Sequence, residues 1–263
     1  MMNTQNWQVC PVTMHGLDLS KDKLCLQWDQ LHRGNREPFP ADERLQAAWR
    51  QYHLGNFAQA VNIGLELGGP GVVPAAFAAT IYAQYVEQDE KRKIALFRQV
   101  IELCEEAEKG GLTTPNLHYI YAVAMGRYSL FISMVEALAQ GFGGRIKEQV
   151  EKCLAIDPQH SEAHVTYGGW HAAITDQAGT LMGRMLYGAT QDGAHEHYDE
   201  AVRLAPDSVV THIEYARGLE TMYGDSEPGI IEKLETGLQL VAVDAMQRLD
   251  LEAARQLLAR HKG

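Results

Sequence analysis

The chain of 263 residues lacks several features that identify secreted, metal-binding or membrane proteins. It has only four cysteines: Cys10, Cys25, Cys104 and Cys153. None of them shows the CxxC spacing of a zinc or redox site, so we expect reduced thiols, as in a cytoplasmic protein. No stretch reaches the roughly 18 uncharged apolar residues of a membrane-spanning helix. The first residues lack the basic and apolar regions of a secretory signal. We therefore predict neither a signal nor a membrane span.

Basic residues are also scarce. Lys and Arg number 23 against 34 Asp and Glu, which gives a formal net charge of −11. A surface of this sign repels the phosphate groups of nucleic acids and of anionic lipids. We therefore expect neither nucleic acid nor a negatively charged membrane as a partner.

Motifs of common enzymes are missing as well. The sequence has no G-x-S-x-G nucleophile turn, no Walker loop and no dinucleotide-binding fingerprint. The glycine-rich stretch 141–144 lacks the Lys and Ser/Thr that complete a phosphate loop, and we interpret it as a junction between helices. We predict that the protein is not an enzyme, with no catalytic residue and no cofactor.

A short phrase occurs three times in the chain. His-x-x-Tyr followed by a small residue spans 118–122, 164–168 and 212–216, so that the copies begin 46 and then 48 residues apart. A fixed period of this size is typical of stacked pairs of helices, in which each pair buries its apolar face against its neighbours. The repeat favours a binding scaffold.

The histidines of this phrase suggest a shared metal site, but geometry favours packing. Equivalent positions in neighbouring helices lie about 8–10 Å apart, whereas zinc holds each nitrogen at about 2.0–2.1 Å. We therefore predict that His118, His164 and His212 are packing residues, and we predict no metal site. The tyrosines of the phrase are predicted to be buried between helices. They are Tyr121, Tyr167 and Tyr215.

The pattern as a whole predicts an all-α fold, namely a right-handed superhelix of about five αα-hairpins similar to tetratricopeptide repeats (TPR). Residues 1–40 form an N-terminal cap segment, 41–241 the repeat domain and 242–263 a C-terminal capping helix. Two insertions, near 126–144 and 176–193, enlarge the units beyond 34 residues. The Met and Leu side chains of the second insertion have two open interpretations, core packing or an exposed contact surface.

The stretch from about Ala75 to Leu240 also resembles a known family. The residues that carry the resemblance are His118-x-x-Tyr121-Ala122-Val123, then Ile146-Lys147-Glu148 leading to Asp157-Pro158, then Ala163-His164 through Gly168-x-Trp170. They are similar to the group that joins the regulator-of-microtubule-dynamics proteins and the TRAP-transporter T-component proteins. The resemblance implies a helical-repeat protein engaged in protein association, with no catalytic residues to transfer.

We predict a scaffold that binds a protein or peptide partner on its concave face, with a second copy of the chain as a further candidate partner. The first helix of each pair lines that face in such arrays. In this register the exposed candidates are Arg127, Glu162, Val165, Gly169, Ile213, Arg217 and Glu220.

The alternative is a cup for a small molecule or lipid beneath the two apolar insertions. A closed apolar pocket under Phe131 and Met182 favours the cup, whereas an open groove lined by charged residues favours the protein partner.

Overall fold

The computed structural model describes residues 2–12 and 17–263, without the side chain of Lys21. Residue 1 and residues 13–16, which belong to the predicted N-terminal cap segment, lie outside the described residues. The described residues form fourteen α-helices and no strand, which confirms the all-α class.

In chain order the α-helices are α1 (Lys21–Leu31), α2 (Glu43–His53), α3 (Phe57–Leu67), α4 (Val72–Ile81), α5 (Glu90–Lys109), α6 (Pro115–Ser129), α7 (Met134–Ala139), α8 (Phe142–Ile156), α9 (Ser161–Ala178), α10 (Thr180–Tyr187), α11 (Gln191–Leu204), α12 (Val209–Tyr223), α13 (Pro228–Leu238) and α14 (Ala245–Lys262). A 3₁₀ turn, Gly69–Gly71, precedes α4, and a π-helix, Tyr82–Val86, follows it.

The helices pack as adjacent pairs. The pairs are α2 with α3, α4 with α5, α6 with α8, α9 with α11, and α12 with α13. The first helices of successive pairs also contact one another, so α2, α4, α6, α9 and α12 form one inner layer. The last helix, α14, packs on α13, α12 and α2.

Side-chain caps begin several of these helices. Asp42 accepts hydrogen bonds from the first backbone N–H groups of α2, and Thr114 does the same for α6, where Pro115 is the first helical residue. The imidazole of His160 accepts from the backbone N–H of Ala163 at the start of α9. Ser161 is already helical, and its hydroxyl donates to a carbonyl of α11.

The tyrosine and the small residue of the repeated phrase lie in close packing between helices. Tyr121 and Tyr215 are buried, as predicted. For Tyr167 the prediction was wrong, because this ring is only half-buried and its hydroxyl donates to Glu151. The small residue of the second copy, Gly168, lies against the ring of Tyr198, where an added Cβ would come within 3.0 Å of the ring atoms. The small residue is therefore required by the approach of an aromatic ring.

Two short helices expose apolar side chains. α7 lies in the segment predicted as the first insertion and α10 in the second. Exposed members of α10 are Leu181, Met182, Met185 and Leu186, and Met185 is 70% exposed. Core packing is therefore the wrong interpretation of this set, and the alternative of an exposed contact surface stays open. No helix in the described part of the chain is long and apolar enough to cross a membrane.

Candidate functional site

The inner layer encloses one side of a large cavity. Its volume is about 820 Å³, and its wall takes side chains from α2, α4, α6, α9 and α12, the first helix of every pair. The π-helix contributes Tyr85, and α14 contributes residues that include Asp250. We call this space the inner cavity. Its wall mixes aromatic rings with acidic and basic side chains.

Six of the seven candidate residues from the sequence lie on the wall of the inner cavity. They are Arg127, Glu162, Val165, Gly169, Arg217 and Glu220. Their role in binding stays a prediction. Two of them were wrongly predicted to be exposed, because Glu162 is 6% and Val165 is 5% exposed. Both side chains belong to α9, which is packed between the neighbouring first helices α6 and α12.

Ile213, the seventh candidate, is absent from the wall and is only 1% exposed, so its prediction as an exposed residue was wrong. The wall residues of α12 include Val210, Glu214, Arg217 and Thr221. These positions follow the i, i+4, i+7, i+11 spacing of one helical face. Ile213 precedes Glu214 by one residue, which turns its side chain by about 100° into the core.

One group of charges on the wall is fully paired. Arg127 donates to the carboxylate of Glu214 over 2.9 Å, and Arg217 donates to the same oxygen. Burial alone would raise the pKa of Glu214, but the two positive charges outweigh it and lower that pKa to about 2. We call these three residues the arginine cluster. Its carboxylate stays charged at neutral pH.

Asp250, across from this cluster on α14, is paired on one oxygen only. The hydroxyl of Tyr85 donates to its Oδ1 over 2.5 Å, while its Oδ2 is buried without a hydrogen-bond partner. The residue is 1% exposed. Burial raises the pKa of Asp250 to about 7, and repulsion from Glu214 and Asp244 adds to this effect.

Glu162 is the second buried carboxyl group of the wall. It accepts from the side chain of Asn35 over 3.4 Å and from the hydroxyl of Tyr119. Burial raises its pKa to about 7 as well, with added repulsion from Asp250 and Asp244. We call Glu162 and Asp250 the acid pair. The charge of Asp250 is one cause of the raised pKa of Glu162, and Asp244 acts on both groups.

A chain of buried hydrogen bonds lies behind the acid pair. Asp244 at the start of α14 contacts His53 Nδ1 at 2.8 Å, and His53 Nε2 lies 3.1 Å from His32 Nε2. His32 Nδ1 in turn lies 2.8 Å from Asn35 Oδ1, and Asn35 donates to Glu162. The network connects the N-terminal region to the last helix and holds Glu162 in place.

The repeated histidines have separate partners. His118 bonds with Gln149 at 2.7 Å, His212 with the carbonyl of Pro206 at 2.7 Å, and His164 with the carbonyl of Pro158 at 3.1 Å. Among the described residues, one group has a geometry that could hold a metal ion: Glu220, Asp225 and His261, with ligand atoms within 4.8 Å of one another. These residues belong to three different elements, so their spacing in the sequence gave no signal.

Sequence reasoning also missed Asp250, Tyr85 and Glu214. No local pattern could place Asp250, because its position depends on how α14 packs across the repeats. Tyr85 reaches the wall from the π-helix, which departs from the helical register. The 3.6-residue period of α12 is consistent with Glu214 on the wall, one residue after the predicted Ile213.

Comparison with known proteins matches this chain to one protein family. The chain matches the family described as regulator of microtubule dynamics protein 1-3 over residues 74–221, which is 148 of its 263 residues. No curated protein sequence matches it significantly. The matched range contains the arginine cluster and Glu162, while Asp250 and α14 lie beyond it. Because the match covers more than half of the chain, the protein belongs to the regulator of microtubule dynamics family.

Proposed function

We propose that this protein is a non-enzymatic binding module that holds a segment of a partner protein in the inner cavity. The observation that carries the proposal is the composition of the cavity wall. The first helix of every pair contributes to it, together with the π-helix, α8 and α14, and it combines aromatic rings with charged groups of both signs. Apolar surface supplies binding free energy, and a few placed polar groups supply orientation and specificity.

The alternative function, a cup for a small molecule or lipid, has less support. Phe131 is not part of the wall; its ring stacks on Phe97 with centroids 6.1 Å apart. Met182 is exposed on α10 and is likewise absent from the wall. The wall instead carries Arg127, Glu162 and further charged side chains, which suits a polar protein segment better than an acyl chain.

The family name directs the choice of partner. Its members are described as regulators of microtubule dynamics, so tubulin and proteins that associate with microtubules are the first partners to test.

We further propose, from the sequence pattern, a cytoplasmic location and a right-handed winding of the pairs. Residues 126–144 and 176–193 are insertions between a cap at 1–40 and a capping helix at 242–263.

A cavity-filling substitution tests the proposal. Gly126 in α6 lies on the wall, and a Cβ built on it meets no atom within 4 Å. Gly126→Phe therefore places a ring in the inner cavity without a clash at its base. Peptides of 15 residues displayed on phage are selected against the full chain, and their affinities are measured by fluorescence anisotropy. We expect Gly126→Phe to weaken them at least about tenfold, the effect of blocking a central contact.

Gly144→Phe is the matched control. Gly144 is also a helical glycine with no atom within 4 Å of an added Cβ, but it is exposed on α8 and absent from the cavity wall. It should leave the affinities unchanged. Peptides that bind both variants equally well would place the binding surface elsewhere. Enrichment of no peptide, together with a lipid or metabolite recovered from the purified protein, would support the cup instead.

A further inference from the structure

The acid pair leaves hydrogen-bonding capacity unused inside the inner cavity. A carboxylate oxygen accepts about two hydrogen bonds, yet Asp250 Oδ2 has no partner and the residue is 1% exposed. The hydroxyl of Thr80, on the same wall, is also buried without a partner. A buried polar atom without a partner destabilises a fold and is therefore rare in native proteins. Two such atoms on one cavity wall point to a missing hydrogen-bond donor.

The cations of the wall do not supply that donor. Arg127 and Arg217 both donate to Glu214, and Arg260 donates to Glu220. The pKa of Asp250 responds to the neighbouring side chains of Tyr85, Glu214, Arg217 and Asp244. Of these, Arg217 is the one positive group, and it is already paired with Glu214.

The surroundings of Glu162 are equally short of positive charge. Tyr119, Asn35, Asp250 and Asp244 act on it, and the imidazole of His53 contacts Asp244 and not Glu162. The acid pair thus presents negative charge to the inner cavity that no side chain of the wall neutralises directly. The raised pKa of both groups, about 7, reflects the same shortage.

Aromatic rings line the same cavity as the acid pair. Tyr52, Phe77, Tyr119 and Trp170 lie on the same wall. Rings of this kind pack against the methylene stem of a long basic side chain and attract its charged end through the π-face. Acidic groups among aromatic rings are suited to a cation on an apolar stem, and they repel phosphate and carboxylate.

We propose that the acid pair binds the ammonium or guanidinium group of a lysine or arginine side chain in the bound protein segment. This inference rests on the proposed function, since it names the anchor residue of that segment. The cation donates to Asp250 Oδ2 and Glu162, and the hydroxyl of Thr80 accepts a further N–H bond. Its arrival favours the ionised form of both carboxyl groups, so binding near pH 7 releases protons into solution.

The probes are n-butylguanidinium and n-butylammonium chloride, with butyramide as the neutral probe of similar size. Binding to the full chain is measured by titration calorimetry at pH 6.8 in two buffers with different ionisation enthalpies, which gives the number of protons released. We expect saturable binding of both cations, release of protons, and affinity for butyramide at least about tenfold weaker, in line with the strength of charge-assisted hydrogen bonds.

Three variants locate the site. Asp250→Asn and Glu162→Gln each keep the shape of the side chain and should weaken the cations at least about tenfold. Glu148→Gln removes one charge from an exposed position outside the inner cavity and should leave the affinity unchanged. Urea unfolding of each variant confirms that it is folded.

Equal affinity for butyramide, proton uptake in place of release, or equal loss in all three variants would overturn the inference. Absence of saturable cation binding would overturn it too. In that case peptides that are weakened by Gly126→Phe would still support the proposed function. Conversely, cation binding that depends on the acid pair, without any selected peptide, would leave the acid pair as a cation site and reject the protein segment.

Discussion

The wall of the inner cavity contains two sets of carboxyl groups that differ in their neighbours. Glu214 lies between Arg127 and Arg217, and its pKa is lowered to about 2. In the acid pair, Glu162 and Asp250 face tyrosine and amide groups and each other, and both pKa values are raised to about 7. Burial acts in the same direction on all three groups. The difference is that two guanidinium groups contact Glu214, whereas neither member of the acid pair is paired with a cation.

This difference separates a structural group from a group available to a ligand. The arginine cluster satisfies its carboxylate with two donors from the same chain, so it stabilises the fold once formed. The acid pair lacks such a donor, and its ionised form is disfavoured until a cation arrives from outside. Buried acidic groups without a positive partner are typical of functional sites, where the fold is less stable than it would be if each charge were paired.

The largest effect is expected when the arginine cluster is broken. Glu214→Gln leaves two guanidinium groups side by side without a counter-charge, and we expect a loss of about 3 kcal/mol in the free energy of unfolding. The lowered pKa means that the contribution of Glu214 is complete above the pKa of an unfolded glutamate, about 4.3, and is lost as the pH falls towards 2. Urea unfolding at pH 7 and pH 3 measures both values.

Glu200→Gln is the control for this loss. Glu200 pairs with Arg203 on the surface of α11, and exposed pairs contribute about 0–1 kcal/mol. If Glu214→Gln lowered the free energy of unfolding at pH 7 by no more than Glu200→Gln does, the arginine cluster would not stabilise the fold as proposed.

The acid pair should respond in the opposite direction. Asp250→Asn keeps an acceptor for Tyr85 and removes the charge, so we expect a gain of about 1–2 kcal/mol in the free energy of unfolding at pH 8. A raised pKa means that the native state holds its proton more tightly, and stability is lost as the pH rises from about 4 through about 7. The gain should therefore shrink at pH 5.

The difference between variant and wild type isolates this effect. Burial lowers the pKa of His32 and of His160, and these groups make stability rise with pH in the same window. Their contribution is common to both proteins and cancels in the difference. A gain of equal size at pH 5 and pH 8 would show that Asp250 does not titrate in this range.

The smallest effect is expected at Thr80. Its hydroxyl is buried without a partner on the wall of the inner cavity. Thr80→Val keeps the shape of the side chain and removes the unsatisfied group, so stability should be unchanged or higher by about 0.5 kcal/mol at all pH values. Thermal unfolding measures the change. A clear loss would show that the hydroxyl has a partner in solution and would remove it from the proposed cation site.

The helices of this fold are predictable because local rules agree with one another. The 3.6-residue period and the caps at Asp42 and Thr114 indicate helix starts within one or two residues. The same period, carried from one copy of the phrase to the next, predicts that Arg127 and Arg217 lie on one face of the array, and both line the inner cavity.

The acid pair could be recognised only in part. Glu162 follows from the register of α9, but its burial results from contact with the loop at Gly34, whose carbonyl accepts from its backbone N–H over 3.1 Å. The position of Asp250 depends on the packing of α14 across helices that are distant in the sequence. The sequence period predicts which face of a single helix or pair is buried, and it does not predict contacts between helices that are distant in the sequence.

The contact between His53 and Asp244 has a consequence for folding. In an open array of repeats each unit contacts only its neighbours, and the ends unfold first. Here residues 191 positions apart in the chain are joined by a buried ion pair or hydrogen bond, so the last helix is attached to the first pair. We therefore expect the array to unfold as one cooperative unit, without fraying from its C-terminal end. Because this contact closes a loop of 191 residues, we expect it to slow refolding compared with an open array of the same length.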